Sequence, residues 1–252
     1  MPDSSVALLY HDIVSPENAA SSGVVTDGSW RYKLDPERFR THLETIDDSP
    51  FTPSTLTETQ TKQAVYLTFD DGGRTAMRAA ELLEEYGFRG NFFIITDRVN
   101  ESGYLTWDEI KQLNAAGHLI GSHTCTHANL LTSDDVDKEL RVSKQAIIDR
   151  IGTCEALSIP KGAYDRSVFK SAWDAGYTYL LTSEPQRITE IRPKRPIGRW
   201  NVWNDTEELE IERILQSSPG YYLRTVGRWK TLKAVKGLIG RERFVRIRDR
   251  LL

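Results

Sequence analysis

Two short stretches of the chain gather side chains that can bind a metal or move a proton. TFDDGG, from Thr68 to Gly73, sets two carboxylates side by side after the apolar run AVYLTF. Asp-Asp-Gly also serves as an ordinary turn, because Asp and Gly both favour turn geometry. At the end of a strand, neighbouring side chains diverge, so one carboxylate can bind a metal while the other stays free for proton transfer. GSHTCTH, from Gly121 to His127, spaces two histidines by four. That spacing puts both imidazoles on one side of a helix or of an extended strand; the alternative is a pair of polar loop histidines with Cys125 in the core. Joined with Asp71, His123 and His127 make two nitrogens and one oxygen, a set that suits zinc with one position left for water. Water held in that way ionises near neutral pH and becomes a nucleophile. The same donors describe a non-haem iron oxygenase site, a reading that the rest of the chain does not favour. A third stretch, ALLYHDIV, ends an apolar run on His11 and Asp12. Alone, His11 reads as a satisfied core or strand-end residue.

The elements that must position these groups alternate along the chain. VALLYH predicts a first strand, followed by a loop and a helix opened by Asp35-Pro36 with Phe39, Leu43 and Ile46 on one face. AVYLTF precedes a helix carrying Ala79, Leu82, Leu83 and Tyr86 and closed by Gly87; NFFIIT precedes a helix entered through the capping box Thr106-Trp107-Asp108-Glu109. HLIGSH, a helix from about Ser133 to Ile151, EALSIP, a helix from Asp165 to Ala175 stopped by Gly176, and YTYLLT complete the series. Strand and helix in alternation predict an α/β architecture with a parallel sheet, open or closed into a barrel. In both, ligands gather at the carboxyl ends of the strands, where His11, Asp70, Asp71, His123 and the Pro160-Lys161-Gly162 turn fall.

With 252 residues, 39% of them hydrophobic, the chain can bury a substantial core. A net charge of −3 gives no global case for a nucleic-acid partner. The charge is uneven, with 10 Lys/Arg against 2 Asp/Glu after residue 218 and 23 against 34 before it. The start, MPDSSVALLYHD, has no basic n-region, and His11-Asp12 interrupts its apolar stretch too early for a signal peptide. No run approaches the length of a membrane span. Cys125 and Cys154 could pair, but two cysteines make no disulfide framework in a chain this long. A reduced, cytoplasmic protein is expected, in place at most along the inner face of a membrane.

TFDDGG, SHTCTH and SIPKGAYD resemble the first three motifs of the NodB-type polysaccharide deacetylases, carbohydrate esterase family 4. The likeness runs from about residue 5 to 205 and includes GNFFIIT, LTWDEIKQLNAAGHLIGSH and KELRVSKQ. It implies that Asp71, His123 and His127 bind a divalent metal, Zn2+ first and Ni2+, Co2+ or Fe2+ otherwise, and that Asp70 is the general base. It also implies that the backbone N–H of Lys161 helps hold the oxyanion. The expected architecture is then a (β/α) barrel, irregular or seven-stranded, and the expected reaction is removal of N-acetyl groups from a sugar, oligosaccharide or polysaccharide. A related amidohydrolase on a non-sugar amide and an inactive glycan-binding relative are the alternatives.

The chain departs from the family in two places. Many members begin the third motif with an Arg that steadies the base, and Ser158 stands there; Lys161 likewise replaces a common aromatic. Arg199, in PIGRWNV, is the candidate substitute, against the plainer reading of a surface ion pair. The family's late acid histidine is also missing, since none follows His127. A subgroup that includes poly-N-acetylglucosamine deacetylases carries that acid on an N-terminal strand in a Tyr-His-Asp context, which YHDI resembles, and His11 becomes the candidate.

Several smaller expectations complete the reading. His42 and His118 are read as solvent-facing or capping residues, and Trp200 and Trp203 receive no role. Residues 1–218 are expected to form the catalytic domain and 219–252 a basic, amphipathic helical extension packed on it. Trp229, Leu232, Val235 and Ile239 recur at helical spacing, as do Phe244, Ile247 and Leu251 beyond a break at Gly240. A peripheral membrane contact through those residues is the alternative to simple packing.

Overall fold

Strands that are apolar on both faces must be covered on both, and this is how the chain builds its centre. The computed structural model describes residues 4–23, 29–58, 62–216 and 218–239. In chain order its elements are β1 (Val6–Tyr10), β2 (Asp12–Ile13), β3 (Lys33–Leu34), α1 (Pro36–Asp47), β4 (Thr52–Pro53), β5 (Ala64–Phe69), α2 (Ala76–Glu85), β6 (Asn91–Ile94), α3 (Trp107–Ala115) and β7 (Leu119–Ser122). There follow α4 (Val136–Ile151), β8 (Ala156–Ser158), α5 (Arg166–Asp174), β9 (Tyr179–Thr182), β10 (Ile197–Gly198), β11 (Trp200–Asn201), α6 (Glu208–Gln216) and α7 (Pro219–Ile239).

The main sheet runs β10-β9-β8-β7-β6-β5-β1-β11, with β4 attached to β5 and β2 paired with β3 apart from it. Its pairings are parallel. β10 pairs with β9 and β11 with β1, so the two ends of the sheet are successive residues of one stretch, parted only by Arg199. The result is a nearly closed barrel whose seventh stave is residues 197–201, an α/β architecture of the expected (β/α) kind.

Side-chain alternation divides the strands between two cores. Val6, Leu8, Tyr10, Val65, Leu67 and Phe69 point outward to the helices, while Ala7, Ala64, Tyr66, Phe93, Ala156, Leu181 and Ile197 fill the interior. The interior leaves little room: a Cβ on Gly121 would stand 2.6 Å from Phe93. Continuing the same alternation to the strand ends puts His11, Asp70, His123, Ser158 and Arg199 on the inward face, at one mouth of the barrel.

The helices begin where capping chemistry says. Asp35 accepts the Glu37 N–H with Pro36 behind it, Thr106 and Glu109 form the capping box, and Asp135 and Asp165 cap α4 and α5. The tail is helical over Pro219–Ile239, but its apolar residues and cations interleave around the axis instead of dividing into two faces. Tyr221 and Tyr222, both partly buried, pack on Trp200. Gly240, Phe244, Ile247 and Leu251 lie outside the described residues, and no described helix is long and apolar enough to cross a membrane. Cys125 and Cys154 are both free and buried.

His42 and His118 correct the expectation of exposure, since both are buried. Each is internalised because partners meet both ring nitrogens. His42 Nδ1 lies 3.4 Å from the Tyr10 hydroxyl and Nε2 3.0 Å from the Thr206 carbonyl; His118 Nδ1 accepts the Gly90 N–H and Nε2 meets Glu84. Burial pushes His42 down to about 4, so its neutral form is the one the fold requires. Its contribution to stability is therefore complete above the unfolded-state value of about 6.5 and is lost as pH falls through about 4, at most about 3 kcal/mol from the shift. Urea unfolding from pH 7 to pH 4 should show that decline, and His42→Gln, though less stable at pH 7, should decline less steeply.

Candidate metal centre

The donor set forms where β5 and β7 end. Asp71 follows β5 with φ 76° and His127 lies four residues beyond His123 with φ 61°, both in the left-handed region that side chains seldom adopt. Those turns bring Asp71 Oδ1 to 3.4 Å from His123 Nε2 and 3.6 Å from His127 Nε2. One ligand atom from each of the three falls within 4.8 Å of the others, and this is the cluster with metal-binding spacing among the described residues.

The residues fit a divalent cation on three observations. Asp71 Oδ1 is buried yet accepts no hydrogen bond from the described residues, a costly arrangement for a carboxylate unless an ion meets it. Its distances to the imidazoles are long for hydrogen bonds but match donors sharing one ion, since ligand bonds of about 2.1 Å in a tetrahedron separate their ends by about 3.4 Å. His123 Nδ1 lies 2.8 Å from the Ser158 carbonyl, and an N–H donated there leaves Nε2 as a lone-pair donor. Burial, then the neighbouring His123, push His127 down to about 4, which keeps it neutral as a ligand must be. For His123, burial acts the same way but is outweighed by the Asp70 and Asp71 carboxylates, which hold it above its ordinary value.

Asp70 is buried beside this cluster, with Oδ2 3.9 Å from His123 Nε2. Arg199 meets it as a fork: Nη1 donates to Oδ1 at 2.8 Å and Nη2 to Oδ2 at 2.9 Å. The Ser158 hydroxyl donates to Oδ2 at 2.9 Å and accepts from Arg199 Nη2 at 2.8 Å. Burial opposes the charge on Asp70, but the Arg199 guanidinium together with the neighbouring His123 and His11 holds the carboxyl well below the usual range. Arg199 is 1% exposed, so the plain surface ion pair is excluded.

His11 stands beside Asp70 across the β1–β5 pairing, one step beyond Tyr10↔Phe69. It is partly buried, its ring packs 4.4 Å from that of Tyr32, its Nδ1 has no hydrogen-bond partner among the described residues, and its charge bears on both Asp70 and Asp71. Tyr32 in turn packs on Trp203 at 4.9 Å, while Trp200 is core. Lys161 follows Pro160 with φ 60°, exposed on the turn beyond β8, close enough for its charge to act on His127.

Three participants carried no signal that isolates them in the sequence. Thr68, inward on β5, donates a hydrogen bond from its hydroxyl to the Leu8 carbonyl and accepts one from Arg199. Asp12 is buried and receives the Ser22 and Thr75 hydroxyls at 2.8 and 2.6 Å, with Lys33 at 3.6 Å. Gly73 lies so close beneath it that a Cβ would stand 2.4 Å from Asp12 Oδ1. Glu139 of α4 binds the loop between the two histidines.

Comparison with known proteins places the fold and much of the sequence among polysaccharide deacetylases. The family model for polysaccharide deacetylase matches residues 57–180. The chain is similar to a peptidoglycan-N-acetylglucosamine deacetylase of Bacillus cereus, 32% identical over 128 residues that cover 48% of this chain and 57% of that protein. It is also similar to the peptidoglycan-N-acetylmuramic acid deacetylase PdaA of Bacillus subtilis, 27% identical over 66% of this chain and 62% of that one. The chain thus spans less than two thirds of the curated relatives it matches. The Streptococcus pyogenes deacetylase PplD has the same fold, with a TM-score of 0.72 at 20% identity over 85% of this chain and 99% of that one. With its barrel, its motif order and a triad that could hold a metal, the chain matches the polysaccharide deacetylase family over residues 57–180 and is similar to NodB-type deacetylases.

Proposed function

We propose that the protein is a hydrolase that removes N-acetyl groups from an N-acetylated glycan. The observation that carries this reading is the convergence of Asp71, His123 and His127 beside a carboxylate held by Arg199. Those three side chains would hold the divalent cation, zinc best by donor type. When bound, the cation supplies Lewis acidity, polarising a carbonyl and making water a stronger acid.

The chain's own groups supply the rest. Asp70 takes the proton from the attacking water; Arg199 and Ser158 fix its orientation and keep it ionised. The Lys161 N–H, turned by its positive φ, donates to the oxyanion that develops on the acetamide carbonyl. His11, inward on the same mouth, protonates the departing amine, which leaves poorly as an anion. Arg199 takes the part of the cation absent at Ser158, which weakens the reading of an inactive relative. Peptidoglycan-directed relatives favour a polymeric amino sugar as substrate. Residues 1–218 act as the catalytic domain in this reading, with 219–252 an extension docked through Tyr221 and Tyr222.

Acetate release from an N-acetylglucosamine oligomer should depend on Zn2+ and should stop after chelation. Asp70→Asn should lower its kcat by about 10²–10⁴-fold while the protein still binds the ion; undiminished turnover in that variant would remove Asp70 from the reaction. His11→Asn should cost about a hundredfold or more on the amide yet little on an aryl acetate, whose leaving group needs no proton. Equal losses on both substrates would deny His11 the acid role. Arg199→Met leaves Asp70 buried without its cation, so unfolding free energy should fall by about 3–5 kcal/mol. Its base should also protonate more readily, moving the acid limb of the pH–rate profile upward.

A further inference from the structure

We infer that Glu139 is a positioning residue for the metal centre, acting through the loop that joins its two histidines. This inference rests on the reading of Asp71, His123 and His127 as ligands. Between His123 and His127 the backbone is neither helix nor strand, and Thr124 (φ 66°) and His127 (φ 61°) both occupy the left-handed region. Residues held there persist only when their surroundings over-determine them. A loop of that kind does not hold two imidazoles in register by itself.

Its restraints come from two sides. On one, the turn after β6 fixes the carbonyls: the Thr96 N–H donates to Thr124 O at 3.1 Å and the Asp97 N–H to Cys125 O at 3.0 Å. On the other, Glu139 fixes the amides, with Oε2 accepting the N–H of Cys125 and of Thr126, each at 3.0 Å, and Oε1 accepting the Thr126 hydroxyl at 2.6 Å. Cys125 is thus clamped at both its N–H and its C=O. Glu139 is 8% exposed and sits on the first turns of α4, whose Leu140, Ser143 and Ile147 are buried. The helix therefore acts as a rigid arm with its carboxylate beneath the midpoint of the ligand loop. Groups that orient ligands from behind affect metal affinity as well as stability.

The test uses the full chain, with Zn2+ affinity measured by competition against a chromophoric chelator and amide exchange measured on the metal-free protein. Glu139→Ala should weaken Zn2+ binding by about 10- to 100-fold and should speed exchange at Cys125 and Thr126. Glu139→Gln, which keeps one oxygen for the two amides, should show a smaller loss in both. Ile147→Ala, a core change on the same helix, should lower thermal stability without either effect. Wild-type Zn2+ affinity in Glu139→Ala, or equal affinity loss in Ile147→Ala, would overturn the inference. If Glu139→Ala does not fold, the Gln variant decides on the same two readouts. Failure of the wild-type protein itself to bind Zn2+ would refute the metal reading instead; Glu139 would then stand or fall on whether exchange at the two amides accelerates.

Discussion

The ion pair between Arg199 and Asp70 joins the closure of the barrel to the chemistry of its mouth. Arg199 is the one residue between β10 and β11, and its guanidinium uses all five N–H donors: Nε to Thr182 O, Nη1 to Thr68 and Asp70, Nη2 to Asp70 and Ser158. Those partners lie on or just beyond β5, β8 and β9. A buried cation with a fully used fork is tolerable, whereas one with missing partners is not. The side chain therefore ties the seam shut only if Asp70 is ionised and Ser158 and Thr68 are in place. The same contacts hold Asp70 far below the ordinary carboxylate range, so in the proposed role of base it would suit a donor acidified by a cation, as water is.

Ser158 explains how the chain accommodates a cation arriving from the seam. The resemblance leads one to expect an Arg there, entering from β8; this chain places a small hydroxyl on β8 and brings the guanidinium from residue 199 instead. Ser158 then serves both neighbours, accepting from Arg199 and donating to Asp70, while its carbonyl faces His123 Nδ1. A larger side chain at 158 would occupy the space in which Nη2 lies between Ser158 and Asp70. The two positions act as one unit.

Much of this was legible in the sequence, and for a physical reason. Local rules set the frame: strand runs, helix openings at Asp35 and Thr106, and glycine stops at 87 and 176. Alternation along the strands also aims His11, Asp70, His123 and Ser158 inward once the barrel is known. What was hidden depends on partners far away in the chain. His42 looks like a polar helix residue until Tyr10 and Thr206 meet both its nitrogens. The strands β10 and β11 are two residues each, too short for any periodicity, and Glu139 looks like an ordinary charge on a helix face.

Asp12 shows the same dependence at the start of the chain. Tyr-His-Asp invites the thought that the aspartate orients the histidine, yet its carboxylate is spent on Ser22, Thr75 and Lys33. It sits over Gly73, where even a methyl group would collide with it. The second glycine of TFDDGG is thus required by a residue sixty-one positions earlier. Because Asp12 joins the loop after β1 to the turn after β5, it fixes the backbone on which His11 and the Asp70–Asp71 pair are both carried. Their relative position is then set by main-chain closure, and the His11 ring is left to Tyr32 on one side and the barrel mouth on the other. The proposed role of His11 as the acid is served by that arrangement, since its Nδ1 is not committed to a partner within the described residues.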